Sequence, residues 1–440
     1  MMERKTMAEL KYHYGWKFRI YPSNKQIQYF INNSIVSRVT YNKLNELNNE
    51  LYHLKKELEK EDADKETIQA KIDHLKYVTS TSSRLTKEFS WMRELEGVHS
   101  STAGNAYRSY QNAWKQYKKV HNAGIPKFKK RTAGEKFQLT NGYSTGKECN
   151  LFTGKIRFES DLKHIIMVPN TFKDKKTKIS YGRIRSDGVK GTPLEGKKDI
   201  RIGTVTISKN TTGQWFLAMQ LASDTPFREV KTKTNKQIGI DLNRDNFCMI
   251  SDGTEIANPR FIKRGEIRLK QEQKTLSRRA VRAKKEGRRL SDSKNYQKQR
   301  QKVAKIHQHI ANQRDSFVHK LTLDLIENND LIVFEELRSK NMMKNHALAQ
   351  SIADGAWRKT IQVATYKADL YGKQVVTVDP KNTTQKCHKC GHVMGTDGTN
   401  KLTLRQREWT CPKCGTFHIR DLNASKNILE KGIAKISSEK

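Results

Sequence analysis

Four cysteines constrain this chain more than any other feature. Cys387 and Cys390 form one CysX2Cys pair and Cys411 and Cys414 a second, with residues 391 to 410 between them and a glycine, Gly391 or Gly415, following each pair. A tight turn at such a glycine brings two thiolates and their neighbouring amides toward one ion, and four thiolates close a tetrahedral shell. The expected element is a zinc ribbon. A closed shell leaves no open coordination position, so its Zn2+ is structural, and a second pair at ribbon spacing argues against a redox CysX2Cys. His388 and His392 are available as substitute ligands but are expected to face solvent. The remaining two cysteines, Cys149 and Cys248, stand alone.

The charge balance indicates what the chain holds. Over 440 residues, 85 Lys and Arg stand against 46 Asp and Glu, a formal net charge of +39. Each Lys or Arg that meets a phosphate releases condensed counterions, so a surplus spread along the chain points to a long polyanion rather than one small anionic ligand. A hydrophobic fraction of 35%, with 15 Phe, 15 Tyr and 6 Trp, suffices for packed cores. The length allows roughly two to four domains. No apolar run approaches the ~20 residues needed to span a bilayer, and the opening MMERKTMAELKYHYGWKF carries no apolar signal core. The expectation is an intracellular protein with no membrane partner.

Residues 12 to 36 open as a strand ending at Pro22, then pass through Ser23, a suitable N-cap, into a helical pattern. Leu44, Leu47, Leu51, Leu54 and Leu58 recur at alternating spacings of three and four, and Ile68, Ile72 and Leu75 continue the stripe after a polar break. This predicts a helical hairpin whose stripe packs helix on helix. A third helical region, Ser90 to Tyr117, carries Trp91, Tyr107, Tyr110, Trp114 and Tyr117 among Arg and Lys. Such aromatics stack on bases or pack in a core, and their spacing leaves both roles open. The loop from Gly124 to Arg131 adds Lys127, Lys129, Lys130 and Arg131 as candidate nucleic-acid contacts. Residues 137 to 222 alternate in short strand-like runs, as in Gly203 to Ser208 and Trp215 to Leu221, which suggests a β-barrel or a small sandwich. The polar linker Asp224 to Lys236 precedes a new domain.

Three acids stand out in that domain. In QIGIDLNRDNFCMI, residues 237 to 250, Asp241 interrupts a strand that is otherwise apolar. In LIVFEEL, residues 331 to 337, the apolar run ends in Glu335 and Glu336. Asp421 opens the helical segment DLNASKNILEKGIAKI just after the last cysteine pair. Carboxylates at the ends of buried strands are costly unless paired with cations or metal. Three together would bind two divalent ions about 4 Å apart, which activate water and stabilise the leaving oxygen of a phosphodiester. Singly, each acid reads as structural or as a helix cap, and Asp421 suits a first-turn acid beside the helix dipole. Between the first two acids, residues 263 to 327 are dense in Lys and Arg, with apolar positions returning at Val303, Ile306, Ile310, Phe317 and Leu321. This predicts a helical hairpin with one basic face, on which Arg278, Arg279 and Arg314 are candidate nucleic-acid contacts.

Taken in order, KFRIYPSNKQ, GIPKFKKR, FQLTN, GIDLNRDNF, LSRRA, IHQHIANQRDSFVHKLT, VFEELRSKNM, TTQKCHKCG, WTCPKCG and HIRDLNASKNI resemble the RNA-guided TnpB nucleases of transposons and the related miniature type V CRISPR effectors. The resemblance runs across most of the chain. It implies an α+β multidomain protein, with an N-terminal β-barrel carrying an inserted helical recognition domain and a C-terminal RNase H-like (RuvC) α/β domain carrying a zinc ribbon insertion. The implied divisions are 1–36 and 133–230 for the barrel, 37–132 for the recognition domain, 231–380 and 419–440 for the nuclease domain, and 381–418 for the ribbon. Carried over by motif, Asp241 matches the acid of the GIDLG-type motif, Glu335 that of the IVIEDL-type motif, and Asp421 that of the RD-x-NAA-x-N motif. Two departures are Asn243, where glycine is usual, and Asn246, where aspartate is common; neither is a metal ligand in the family pattern.

The resemblance implies an Mg2+-dependent, RNA-guided DNA endonuclease. Its partners would be a structured guide RNA and target double-stranded DNA, its site would hold Mg2+ at Asp241, Glu335 and Asp421, and its ribbon would hold Zn2+. A monomer is expected rather than a homodimer, in the bacterial cytoplasm and at the nucleoid when bound to DNA. The alternatives are a guide-dependent DNA binder or repressor, against which the three intact acids argue, and a guide-independent transposition protein, for which no serine or tyrosine nucleophile context is evident.

Overall fold

The computed structural model describes residues 5–20, 22–60, 64–120, 123–130, 134–140, 201–243, 245–336, 356–403 and 405–438, with five short strands between 143 and 181. These fall into two compact units, Met1–Phe227 and Arg228–Lys440. No described helix is long and apolar enough to cross a membrane.

In the first unit, β1 (Tyr12–Ile20) pairs antiparallel with β9 (Trp215–Ser223), β9 with β8 (Arg201–Lys209), and β8 with β2 (Lys136–Leu139). Among the described residues the sheet order is β1-β9-β8-β2, four antiparallel strands of the expected β-rich region. Between β2 and β8 lie β3 (Tyr143–Ser144), β4 (Lys155–Phe158), β5 (Ile165–Met167), β6 (Phe172–Lys173) and β7 (Ser180–Tyr181), in two further small sheets. The long helix α1 (Asn24–Leu58) starts where the sequence predicts. Ser23 Oγ accepts from Gln26 N at 3.3 Å and Gln26 Oε1 accepts from Ser23 N at 2.8 Å, a reciprocal capping box. The start of α1 packs on the sheet, with Phe30 ring centroids 5.7 Å from Phe137 and 5.2 Å from Trp215.

The leucine stripe is buried within one hairpin. Leu44, Leu47 and Leu51 of α1 share a core with Ile68, Ile72 and Leu75 of α2 (Lys65–Thr79). Past α3 (Ser82–Glu88), the third helical region is not continuous: it splits into α4 (Trp91–Glu94) and α5 (Ser101–Lys119). The break has two causes. Gly97 adopts φ +72 with no room for a Cβ, which would sit 2.2 Å from the Tyr29 ring. The fully buried Asn33 also fixes the bend, donating to Tyr29 O and Gly97 O and accepting from His99 N and Thr102 Oγ1.

The second unit is a five-stranded sheet in the order β12-β11-β10-β13-β14, formed by β10 (Gln237–Leu242), β11 (Cys248–Ile250), β12 (Glu255–Ile256), β13 (Leu331–Glu335) and β14 (Gln374–Val378). β10 runs antiparallel to β11 and parallel to β13, which runs parallel to β14. The basic stretch forms the expected hairpin, α6 (Phe261–Lys285) and α7 (Lys294–Asn328). Strand alternation divides the sheet between two helical layers. Ile238, Ile240, Leu242, Ile332 and Phe334 pack against α7 and against α8 (Trp357–Tyr371). On the other face, Leu331, Val333 and Val378 pack against Ile428 of α9 (Arg420–Ser438).

Candidate active site

The same alternation places the acids. Gly239 and Asp241 lie on the α9 face of β10, and Glu335 follows Leu331 and Val333 on the α9 face of β13. The parallel register pairs Ile240 with Phe334, which sets Asp241 beside Glu335 at the carboxyl ends of neighbouring strands. Gly239 then lets α9 come down: a Cβ there would lie 2.1 Å from Ser425 O and 2.6 Å from Leu429 N. Gly432 does the same further along, where a Cβ would lie 2.4 Å from Val333 Cγ2. With its axis fixed at these two glycines, α9 carries Asp421 in its first turn to the strand ends where Asp241 and Glu335 stand. Gly239→Ala is expected to destabilise the second unit by about 1–3 kcal/mol, the range for overpacking against unyielding backbone, measured by urea unfolding.

Asp241 feels the other two acids. Burial, then the charges of Asp421 and Glu335, push the Asp241 carboxyl up to about 8. Burial also raises Glu335, while Thr383 and Lys431 oppose the shift. Two acids have protein donors: Asn243 Nδ2 reaches Asp421 Oδ2 at 3.3 Å, and Thr383 Oγ1 reaches Glu335 Oε2 at 2.9 Å. Arg407 Nη1 stands 3.6 Å from Asp421 Oδ2 while its Nη2 pairs with Asp245. Among the described residues, no donor reaches the Asp241 side chain, although it is 9% exposed. A buried carboxylate beside two others and without a donor of its own is the environment that a divalent cation balances. The donor set, all carboxylate oxygen, suits Mg2+. A second candidate centre is the four cysteines, whose ligand atoms all lie within 4.8 Å of one another.

Those thiolates form the expected ribbon. Cys387 Sγ lies 3.7 Å from Cys414 Sγ, and Cys390 Sγ 3.6 Å from Cys411 Sγ. In each knuckle the glycine amide returns to the first cysteine: Gly391 N donates to Cys387 O and Gly415 N to Cys411 O, both at 2.9 Å. Both glycines have positive φ, +79 and +68, which other residues adopt only with strain. The second knuckle bridges the hairpin of β15 (Glu408–Thr410) and β16 (Phe417–Ile419). Four converging thiol groups with amide-backed turns fit one tetrahedral Zn2+. Neither histidine simply faces solvent. His392 is 7% exposed and its carbonyl accepts from Cys387 N, while His388 Nδ1 lies 3.2 Å from Asn423 Oδ1. His418, which carries no spacing signal, lies with Nε2 3.0 Å from Cys387 Sγ, its ring 4.6 Å from that of Trp409.

The candidate nucleic-acid contacts are placed unevenly. Tyr110 is buried in the hairpin core, edge-on to Tyr41 at 5.2 Å, and Tyr107 and Trp114 pack against the same core. The Tyr107 hydroxyl donates to Ser80 O at 2.6 Å. Trp91 is 39% exposed. Lys127, Lys129 and Lys130 lie on an exposed loop, with the Lys129 backbone tied to Asn42 and its Nζ over the Tyr41 ring. Arg131 lies outside the described residues, as does Cys149. Arg278 is exposed on α6, Arg279 donates to Asn295 O at 2.7 Å across the hairpin, and Arg314 is half-buried on α7. Cys248 is buried in the sheet core.

Two family models match the chain: "Probable transposase" over residues 218–346 and "Cas12f1-like, TNB domain" over residues 357–428. Together these matches make the chain similar to the IS605-type transposases and to the Cas12f1-like TNB domain. The first match contains Asp241 and Glu335, and the second contains the four cysteines and Asp421. Among curated relatives, one from Streptomyces pristinaespiralis, named "Putative RNA-guided DNA endonuclease", is 37% identical over 232 residues, 52% of this chain and 53% of the relative. InsQ of Escherichia coli K12 carries the same description and is 28% identical over 349 residues, 75% of this chain and 73% of InsQ. The chain thus spans about half the length of the first relative. A chain of a solved Cas12f1–sgRNA–target DNA complex is similar at TM-score 0.48 and 14% identity, over 92% of this chain and 82% of that one.

Proposed function

We propose that this TnpB-type chain is an RNA-guided DNA endonuclease. It would bind a structured guide RNA, read a short motif flanking the target, and hydrolyse target DNA at Asp241, Glu335 and Asp421. The observation that carries this reading is the convergence of the three acids at the first turn of α9, two of them on neighbouring strand ends. The curated names of the relatives point the same way. The sheet order, with an antiparallel edge joined to a parallel half, supports a RuvC-like nuclease domain split over 231–380 and 419–440 around the ribbon at 381–418. The divisions 1–36, 37–132 and 133–230 are the corresponding proposal for the first unit.

In this mechanism Asp241, Glu335 and Asp421 would hold two Mg2+ ions. Such ions lower the pKa of water and stabilise the leaving oxygen of a phosphodiester. Asp241, buried at the centre, provides the charge that no protein donor satisfies. Glu335 and Asp421 flank it, one from β13 and one from α9. The surplus of Lys and Arg supplies the backbone contacts that hold a heteroduplex, in which base pairing carries the sequence information.

RNA bound to the purified protein tests the guided reading. Protein purified after expression with its own locus is expected to show a high 260/280 absorbance ratio that falls on RNase treatment. A ratio typical of protein alone, unchanged by RNase, would contradict guide binding.

A further inference from the structure

Asp421 and Glu335 are each held by one oxygen only. Asn243 Nδ2 takes Asp421 Oδ2 at 3.3 Å, and Thr383 Oγ1 takes Glu335 Oε2 at 2.9 Å. Among the described residues, no donor reaches Oδ1 of Asp421 or Oε1 of Glu335. Both donors are themselves fixed. Asn246 N donates to Asn243 Oδ1 at 2.9 Å, which decides the amide orientation and turns Nδ2 toward the acid. Thr383 is 2% exposed, and its carbonyl accepts from the buried Asn427 of α9 at 2.8 Å. Each donor also comes from a different element than its acid: Asn243 from the turn after β10, and Thr383 from the segment between β14 and the first zinc knuckle.

We infer that Asn243 and Thr383 are positioning residues, each occupying one oxygen of an acid so that the other is presented to a divalent cation. The inference rests on the reading of the three acids as a metal centre. A carboxylate with two free oxygens rotates and can chelate through both, whereas Mg2+ requires near-octahedral geometry and keeps sites for water and phosphate. Holding one oxygen restricts the acid to single-oxygen ligation and sets its direction. Hydrogen bonds of this kind to metal ligands are typically worth 10–100-fold in metal affinity.

Binding of Mn2+ alone to the RNA-free 440-residue chain, followed by electron paramagnetic resonance of the free ion, tests the inference. Asp241→Ala serves as the blank that defines the site. Asn243→Ala and Thr383→Val are each expected to weaken Asp241-dependent Mn2+ binding roughly 10–100-fold. Both should keep one zinc per chain and the wild-type thermal unfolding curve, and Thr383→Ser should bind Mn2+ as wild type does. In guided cleavage, both variants should need correspondingly more Mg2+ for half-maximal rate and recover at saturating Mg2+. Mn2+ binding within twofold of wild type in both variants, with zinc retained, would overturn the inference. If the wild type binds no more Mn2+ than Asp241→Ala, the metal centre itself is wrong and the inference falls with it, a result distinct from the twofold outcome. Should Thr383→Val lose zinc, Asn243→Ala, whose residue lies apart from the ribbon, decides alone.

Discussion

Asp241→Asn is expected to abolish guided DNA cleavage, by roughly 10^3-fold or more, while raising the thermal stability of the metal-free protein. The first effect follows from the place of Asp241 at the centre of the acids, on the strand between β11 and β13. Divalent ions supply several kcal/mol of transition-state stabilisation, and each ~1.4 kcal/mol is tenfold in rate. The second effect follows from the same burial. The Asp241 carboxyl, raised to about 8 by burial and by Asp421 and Glu335, disfavours the folded state wherever the unfolded chain would ionise it, that is, above the ordinary carboxylate range. Asparagine keeps the shape and removes that charge. Melting curves in EDTA should therefore move upward for the variant, and cleavage assays with Mg2+ should show the loss. A variant both less stable and inactive would mean that Asp241 serves packing rather than a charged centre.

Cys411→Ser should lower bound zinc from one per chain to near zero and reduce cleavage by at least ~10^2-fold, with guide RNA affinity kept within a few-fold. Structural zinc contributes on the order of 10 kcal/mol to folding in small modules, so its loss unfolds the ribbon. The damage then reaches the acids along specific hydrogen bonds. Asn423 of α9 accepts from His388 N at 3.0 Å and donates to Lys386 O at 2.8 Å, and Asn427 donates to Thr383 O and Lys386 O. These bonds tie the first knuckle to the helix that carries Asp421, and Thr383 in turn holds Glu335. The aromatic and basic candidates for nucleic-acid contact from Trp91 to Lys130 belong to the first unit, and none of these bonds involves them. RNA binding lost as completely as cleavage would contradict a local role for the ribbon.

Much of this was readable from local pattern. The Ser23 cap, the leucine stripe from Leu44 to Leu75, the cysteine knuckles and the basic hairpin each depend on residues a few positions apart, where periodicity and turn chemistry act directly. The three acids were conspicuous because each interrupts or ends an apolar run. Their partners were not. Thr383 and Glu335 are 48 residues apart and Asn243 and Asp421 are 178 apart, so only the folded sheet brings them together. Asn243 did stand out as a departure from the motif, but its donor role needs the amide orientation that Asn246 imposes. His418 and Arg407 are ordinary in sequence and gain their positions from the ribbon hairpin. The break at Gly97 was hidden for the same reason, since Tyr29 and Asn33, which cause it, lie far away in the chain. The aromatics from Trp91 to Trp114 show how helical spacing alone leaves a role undecided: burial places Tyr110 in the hairpin core and leaves Trp91 partly exposed.

Cleavage of a plasmid library with a randomised flanking motif, by the protein co-expressed with the RNA from its own locus, is the decisive measurement. The guide segment is then exchanged for a second sequence. Cutting should occur only beside the sequence that matches the guide, next to one short motif, and should move to the new match when the guide is exchanged. Cutting that ignores the guide, or that persists undiminished in Asp241→Asn, would contradict RNA-guided hydrolysis at this centre.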